Sequence, residues 1–75
     1  MNDTYHYYLK DLIVLIVDQA IEAKKKRDNN GTDYDIGRLM AYHEIVSLIQ
    51  QQAASFDLSH EDIGMPPVNP DKDLL

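Results

Sequence analysis

The sequence predicts an all-α fold: an antiparallel two-helix hairpin that dimerises into a four-helix bundle, followed by a proline-containing extended C-terminal tail. Three observations predict it. Two stretches, from about Thr4 to Arg27 and from Thr32 to Phe56, contain no proline and repeat apolar residues at helical spacing. Between them lies Asp28-Asn29-Asn30-Gly31, where asparagine and glycine tolerate the left-handed conformation that ends a helix. All three prolines fall beyond both stretches, at positions 66, 67 and 70.

The first helix has legible ends. Asp3 or Thr4 can cap its start, and Lys24, Lys25, Lys26 and Arg27 occupy its last turns, where cations meet the negative end of the helix dipole. At 100° per residue, Tyr5, Leu9, Leu12, Ile13, Ile16, Ala20 and Ala23 form one stripe. Val14, Val17 and Ile21 extend it to one side, opposite Asp11, Asp18, Glu22 and Lys25.

The second helix opens on a capping-box pattern. Thr32 can accept from the amide of Asp35, and Asp33 and Asp35 sit at the positive end of the dipole. Leu39, Tyr42, Val46, Ile49, Ala53 and Phe56 alternate spacings of three and four, a seam for nearly parallel packing. Gly37, Ala41, Ile45 and Leu48 widen it, and His43, Glu44, Ser47, Gln50 and Gln51 lie opposite. The short connection makes the two helices antiparallel neighbours. Residues 1–64 read as the hairpin domain and 65–75 as an extended or flexible tail. Ser59 can cap one further turn through Glu61 and Asp62, stopped by Gly64.

A hairpin buries one stripe per helix, and here apolar surface is left over on both. A second copy is the simplest cover. The expected interface residues are Val14, Val17, Ile21, Gly37, Ala41, Ile45 and Leu48. The chain has 75 residues and no cysteine, so neither disulfides nor thiolate metal sites can staple a small core. Association is the remaining route to stability.

Several function classes lose ground. A formal net charge of −6 repels phosphate backbones, and the run Lys24 to Arg27 is short and followed by Asp28, Asp33 and Asp35. No nucleic-acid binding is expected. The longest apolar run, Leu12 to Val17, is far short of the ~20 residues a bilayer span needs, so no membrane is expected either. Met1 to Thr4 carries no lysine or arginine, and no leader pattern is visible; the expected location is cytoplasmic. His43-Glu44 is adjacent rather than spaced for a shared ligand, and His60-Glu61-Asp62 borders the tail. With no phosphate-binding loop and no nucleophile beside a base, the sequence points to no enzyme, metal or cofactor.

Two residues stand apart. Gly37 lies inside a helix, where glycine costs about 0.5–1 kcal/mol, so it and Ala41 read as a close crossing with a partner helix rather than incidental small residues. Arg38 falls in the apolar half of its helix beside Tyr34 and Tyr42. It reads either as an anion or partner site lined by tyrosines, or as a guanidinium snorkelling past the bundle end with Asp35 as its local partner. Tyr5, His6, Tyr7 and Tyr8 read as end packing or as a partner contact. The tail reads either as a disordered end or as a strap whose Leu74 and Leu75 fill a groove; its prolines exclude a helix running through it.

The seam Gly37-Arg38-Leu39-Met40-Ala41-Tyr42 with Ile45, Ile49 and Phe56, and the stop at Asp62-Ile63-Gly64, resembles in outline the short bacterial helical-hairpin proteins of unknown function. The resemblance spans most of the chain and implies a fold but no activity. The expected function is a small homodimeric protein-interaction module, an adapter or modulator with an unidentified protein partner. The alternative is a regulatory partner of nucleic-acid machinery, of mobile-element origin, acting through protein contacts.

Overall fold

The computed structural model describes residues 3–75. Met1 and Asn2, part of the stretch read for a leader, lie outside the described residues. A stretch free of proline and glycine becomes α1, Asp3–Asn30, and a second proline-free stretch becomes α2, Asp33–Ser55. The two pack as an antiparallel hairpin, and the described residues contain no strand. Asp3 and Thr4, expected as caps, are already inside α1. At its other end α1 runs past Arg27 to Asn30, so the connection shrinks to Gly31 and Thr32. Gly31 takes φ 63°, the left-handed conformation that lets the chain leave the helix.

The capping box forms. Thr32 Oγ1 accepts from the Asp35 amide at 3.1 Å, and Asp35 Oδ2 accepts from the Thr32 amide at 3.4 Å and from its hydroxyl at 2.6 Å. These bonds are what make a buried Asp35 tolerable. Ile13, Val17, Ala20 and Ala23 of α1 meet Leu39, Val46 and Ala53 of α2 in the core. The alanines bring the backbones close. Val17, expected beyond the facing stripe, lies inside that core at 1% exposure.

The chain leaves α2 through a cap the composition hides. The Leu58 amide donates to the Ala53 carbonyl at 2.8 Å and the Asp57 amide to the Ala54 carbonyl at 3.0 Å, with Asp57 at φ 57°. This is a Schellman cap with aspartate where glycine is usual. Ser59 and Asp62 then bond reciprocally, the Ser59 amide to Oδ2 at 2.8 Å and the Asp62 amide to Ser59 Oγ at 3.0 Å. The turn they start ends at Gly64, φ 74°.

The tail is ordered and packed. It adds Ile63, Met65 and Leu74 to the core, and Leu74 is fully buried. Helix formation past the prolines was not expected, yet α3, Pro70–Asp73, makes one turn. Pro70 sits at its start, where the missing amide costs nothing, and Asn69 caps it by accepting from the Asp71 amide at 3.1 Å. The molecule measures 44 × 21 × 16 Å, a hairpin with a strap along one face. No helix among the described residues is long and apolar enough to cross a membrane.

Candidate docking face

The strap divides the hairpin into a covered face and an open one. His43, Ser47 and Gln50, expected to face solvent, lie on the side of α2 that receives it. Gln50 Nε2 donates to the Val68 carbonyl at 2.9 Å and contacts Met65 Sδ at 3.2 Å. His43 Nε2 lies 2.9 Å from Asp71 Oδ1. Lys24 and Arg27 converge on the Leu75 carbonyl oxygen, Arg27 Nη2 at 2.9 Å. Two of the four basic residues that close α1 therefore hold the strap. At the opposite end of the hairpin the strap presses on α1, where a Cβ placed on Gly64 would lie 2.8 Å from Lys10 Cγ and 2.9 Å from its Cβ.

None of the described residues covers the other face. A groove of about 460 Å³ runs between Leu9, Leu12 and Ile16 on α1 and Ile45, Leu48 and Phe56 on α2, closed at one end by Leu58. Among the described residues, Gln52 is the one side chain on its walls that can hydrogen-bond. Large apolar groups stand out on this face: Leu48 is 63% exposed and Phe56 67%.

The expected interface residues do not form one patch. Gly37, Ala41, Ile45 and Leu48 are exposed and lie on the open side of α2 by helical placement. Val14 sits at the strap edge with Tyr7, Lys10 and Gly64, and Ile21, seven residues further, follows it on the same edge. The residues sequence periodicity passed over are those on α1 that line the groove, Leu9, Leu12 and Ile16. They belong to the stripe assigned to the hairpin's own core, and only the position of the strap shows which side of that stripe stays uncovered. Gly37 has no neighbour within 4 Å of a Cβ placed there, so no backbone of this chain crosses it closely.

Arg38 stands at the loop end of the open face. Its Cζ lies 5.4 Å from the centre of the Tyr42 ring, and the Tyr42 hydroxyl donates to Gln19 Oε1 at 2.7 Å. Asp35, the expected partner of Arg38, is spent on Thr32. Arg38 Nη1 is buried with no hydrogen-bond partner. Tyr34, the third residue expected at this site, is 75% exposed and no described contact joins it to Arg38.

No family model, curated protein or solved structure matches the chain.

The remaining polar groups build no reactive constellation among the described residues. No three histidine or acidic side chains converge on a point where a cation could sit. The aromatic cluster at the start of α1 is exposed; His6 and Tyr7 stack with centroids 6.3 Å apart, and His6 Nε2 lies 3.3 Å from the Asp62 carbonyl oxygen. Asp62 holds its carboxyl below the usual range because the Ser59 amide, and then the Ser59 hydroxyl, hydrogen-bond to it, with Lys10 and His6 adding favourable charge.

Proposed function

We propose that the protein is a small homodimeric interaction module whose open apolar face pairs with a second copy, leaving the strap side and its polar clefts for a further protein partner. It acts by contact rather than by covalent chemistry, in the cytoplasm. The uncovered groove is the observation that carries this reading. The groove is walled almost wholly by apolar side chains and flanked by exposed leucine, isoleucine and phenylalanine, the kind of rimmed apolar surface that marks an interaction site.

Surface area supports it. The chain exposes 5408 Å², whereas a folded monomer of its 8.6 kDa mass exposes about 4,700 Å² by the usual scaling. The excess is close to the ~800 Å² that each partner contributes to a stable interface. Light scattering on the intact chain across a hundredfold dilution tests the reading. The expected result is a dimer mass that falls toward the monomer on dilution, with a melting point that rises with protein concentration. A compact, fully helical monomer at every concentration would overturn it.

A further inference from the structure

We propose that the second copy packs antiparallel across the open face, about a two-fold axis at the level of Leu12 and Leu48, so that each Arg38 meets Asp57 and the end of α2 of the partner subunit. This rests on the homodimer reading and specifies its geometry.

Three observations fix the arrangement. First, Arg38 Nη1 is buried and unpaired at one end of an otherwise apolar face. The chain itself covers Nη1, but Arg38 as a whole is only half-buried, so the outer N–H groups of its guanidinium stay open to a carboxylate or carbonyl of a second copy. Second, in a parallel dimer residues at one level face their own copies, and Arg38 would confront the partner subunit's Arg38. An antiparallel pairing brings the loop end of one copy over the open end of the other.

Third, the open end holds the complement. Asp57 is exposed, its carboxylate makes no described bond, and it lies between Phe56 and Leu58, both lining the groove. It also closes α2, whose last carbonyls carry the negative end of the dipole. Glu22 and Glu44, by helical placement, lie on the outer backs of their helices. Arg38 and Asp57 are about 28 Å apart along α2 at the helical rise per residue, and the midpoint falls at Leu48. Because Tyr42 bonds Gln19, that level on α1 is Leu12 and Ile13. A two-fold axis there centres the groove on itself, with a charge pair at each end. Apolar burial supplies affinity, and the end pairs set direction.

The absence of cysteine makes the axis testable. Leu48→Cys places a thiol opposite its own copy, within the ~7 Å between Cα atoms that a disulfide allows. Ala41→Cys, about two helical turns from the axis, places the two thiols roughly 20 Å apart. Mild oxidation should convert the Leu48→Cys protein to covalent dimer and leave Ala41→Cys reduced. Arg38→Met and Asp57→Asn, each checked for unchanged helicity, should each weaken the dimer by about thirtyfold or more, and the double variant no further than either alone. Asparagine keeps the left-handed backbone at position 57 accessible. Cross-linking at Ala41 and not Leu48, or at neither, would overturn the antiparallel axis. A dimer unchanged or tightened by Arg38→Met would overturn the charge pairing. In both cases the wild-type mass stays dimeric, which separates these failures from that of the homodimer reading itself.

Discussion

Gln50 donates its side-chain amide to the Val68 carbonyl oxygen, 2.9 Å away, and so fixes a proline-rich segment that forms few backbone bonds of its own. A carbonyl flanked by prolines has no helix or sheet partner, and Gln50 supplies one from a regular helix. Gln50→Ala leaves that carbonyl without its donor. The expected cost is about 1 kcal/mol in urea denaturation, with faster amide exchange over residues 65–75 and unchanged exchange in α1.

Leu74 is the strap's main apolar anchor. It has no exposed surface, and removing a buried leucine side chain costs about 2–5 kcal/mol according to how far the site collapses. Leu74→Ala should therefore destabilise by more than Gln50→Ala, whereas Leu75→Ala, at an exposed neighbour, should change the urea midpoint little. Equal effects at the two leucines would mean that the strap does not hold this register.

How much of this was readable from the amino acids divides along a physical line. Features decided by neighbours in sequence were legible: the Thr32–Asp35 capping box, the turn at Gly31, the Ser59–Asp62 turn. Features decided by which side of the hairpin the strap takes were not. Val14 and Val17 are three residues apart, just under one turn, yet Val14 lies at the strap edge and Val17 in the core that the tail residues complete. Periodicity marks an apolar arc without saying which half of it a distant segment covers. The same blindness sent His43 and Gln50 to solvent and gave Arg38 an Asp35 that the cap already used. The cap at Asp57 was missed because aspartate replaces the glycine that signals it.

Two glycines differ in what a side chain would meet. Gly64, read as a stop, combines φ 74° with a contact under 3.0 Å between a placed Cβ and Lys10 Cβ and Cγ. Those atoms lie near the helix backbone and cannot swing away. Gly64→Ala should destabilise by about 1–3 kcal/mol through strain and overpacking. Gly37 lies in α2 with open space around it, so Gly37→Ala should gain about 0.5–1 kcal/mol of helix stability. Thermal melts of the two variants at one concentration should move in opposite directions.

Asp62 predicts a pH dependence with a definite sign. Its folded carboxyl titrates below the ordinary value of 3.8 because Ser59 donates two hydrogen bonds to the ionised form. A lowered folded value contributes stability that is complete above the unfolded value and is lost as pH falls through the folded one. The turn should therefore loosen only below about pH 4. Carbon-detected NMR titration should show this carboxyl ionising below the ordinary value of 3.8, and Asp62→Asn, which keeps an acceptor for the Ser59 amide, should lose that acid limb.

Charge placed at two apolar positions separates folding from association. Val17 is enclosed by α1, α2 and the strap within one chain, so Val17→Asp buries a carboxylate with no described cation beside it. Burial of an unpaired charge exceeds the margin by which a 75-residue domain is stable, and the variant should be unfolded at every concentration. Leu48 is mostly exposed and belongs to no intrachain core, so Leu48→Asp costs the single chain little. On the open face, however, it would set two aspartates against each other near the axis. Far-UV circular dichroism combined with light scattering should show Val17→Asp losing helix outright. Leu48→Asp should lose dimer mass first, with a melting point no longer dependent on protein concentration, while the wild type keeps that dependence because its association is linked to folding. If Leu48→Asp retained a dimer with wild-type affinity, the open face would not be where two copies meet.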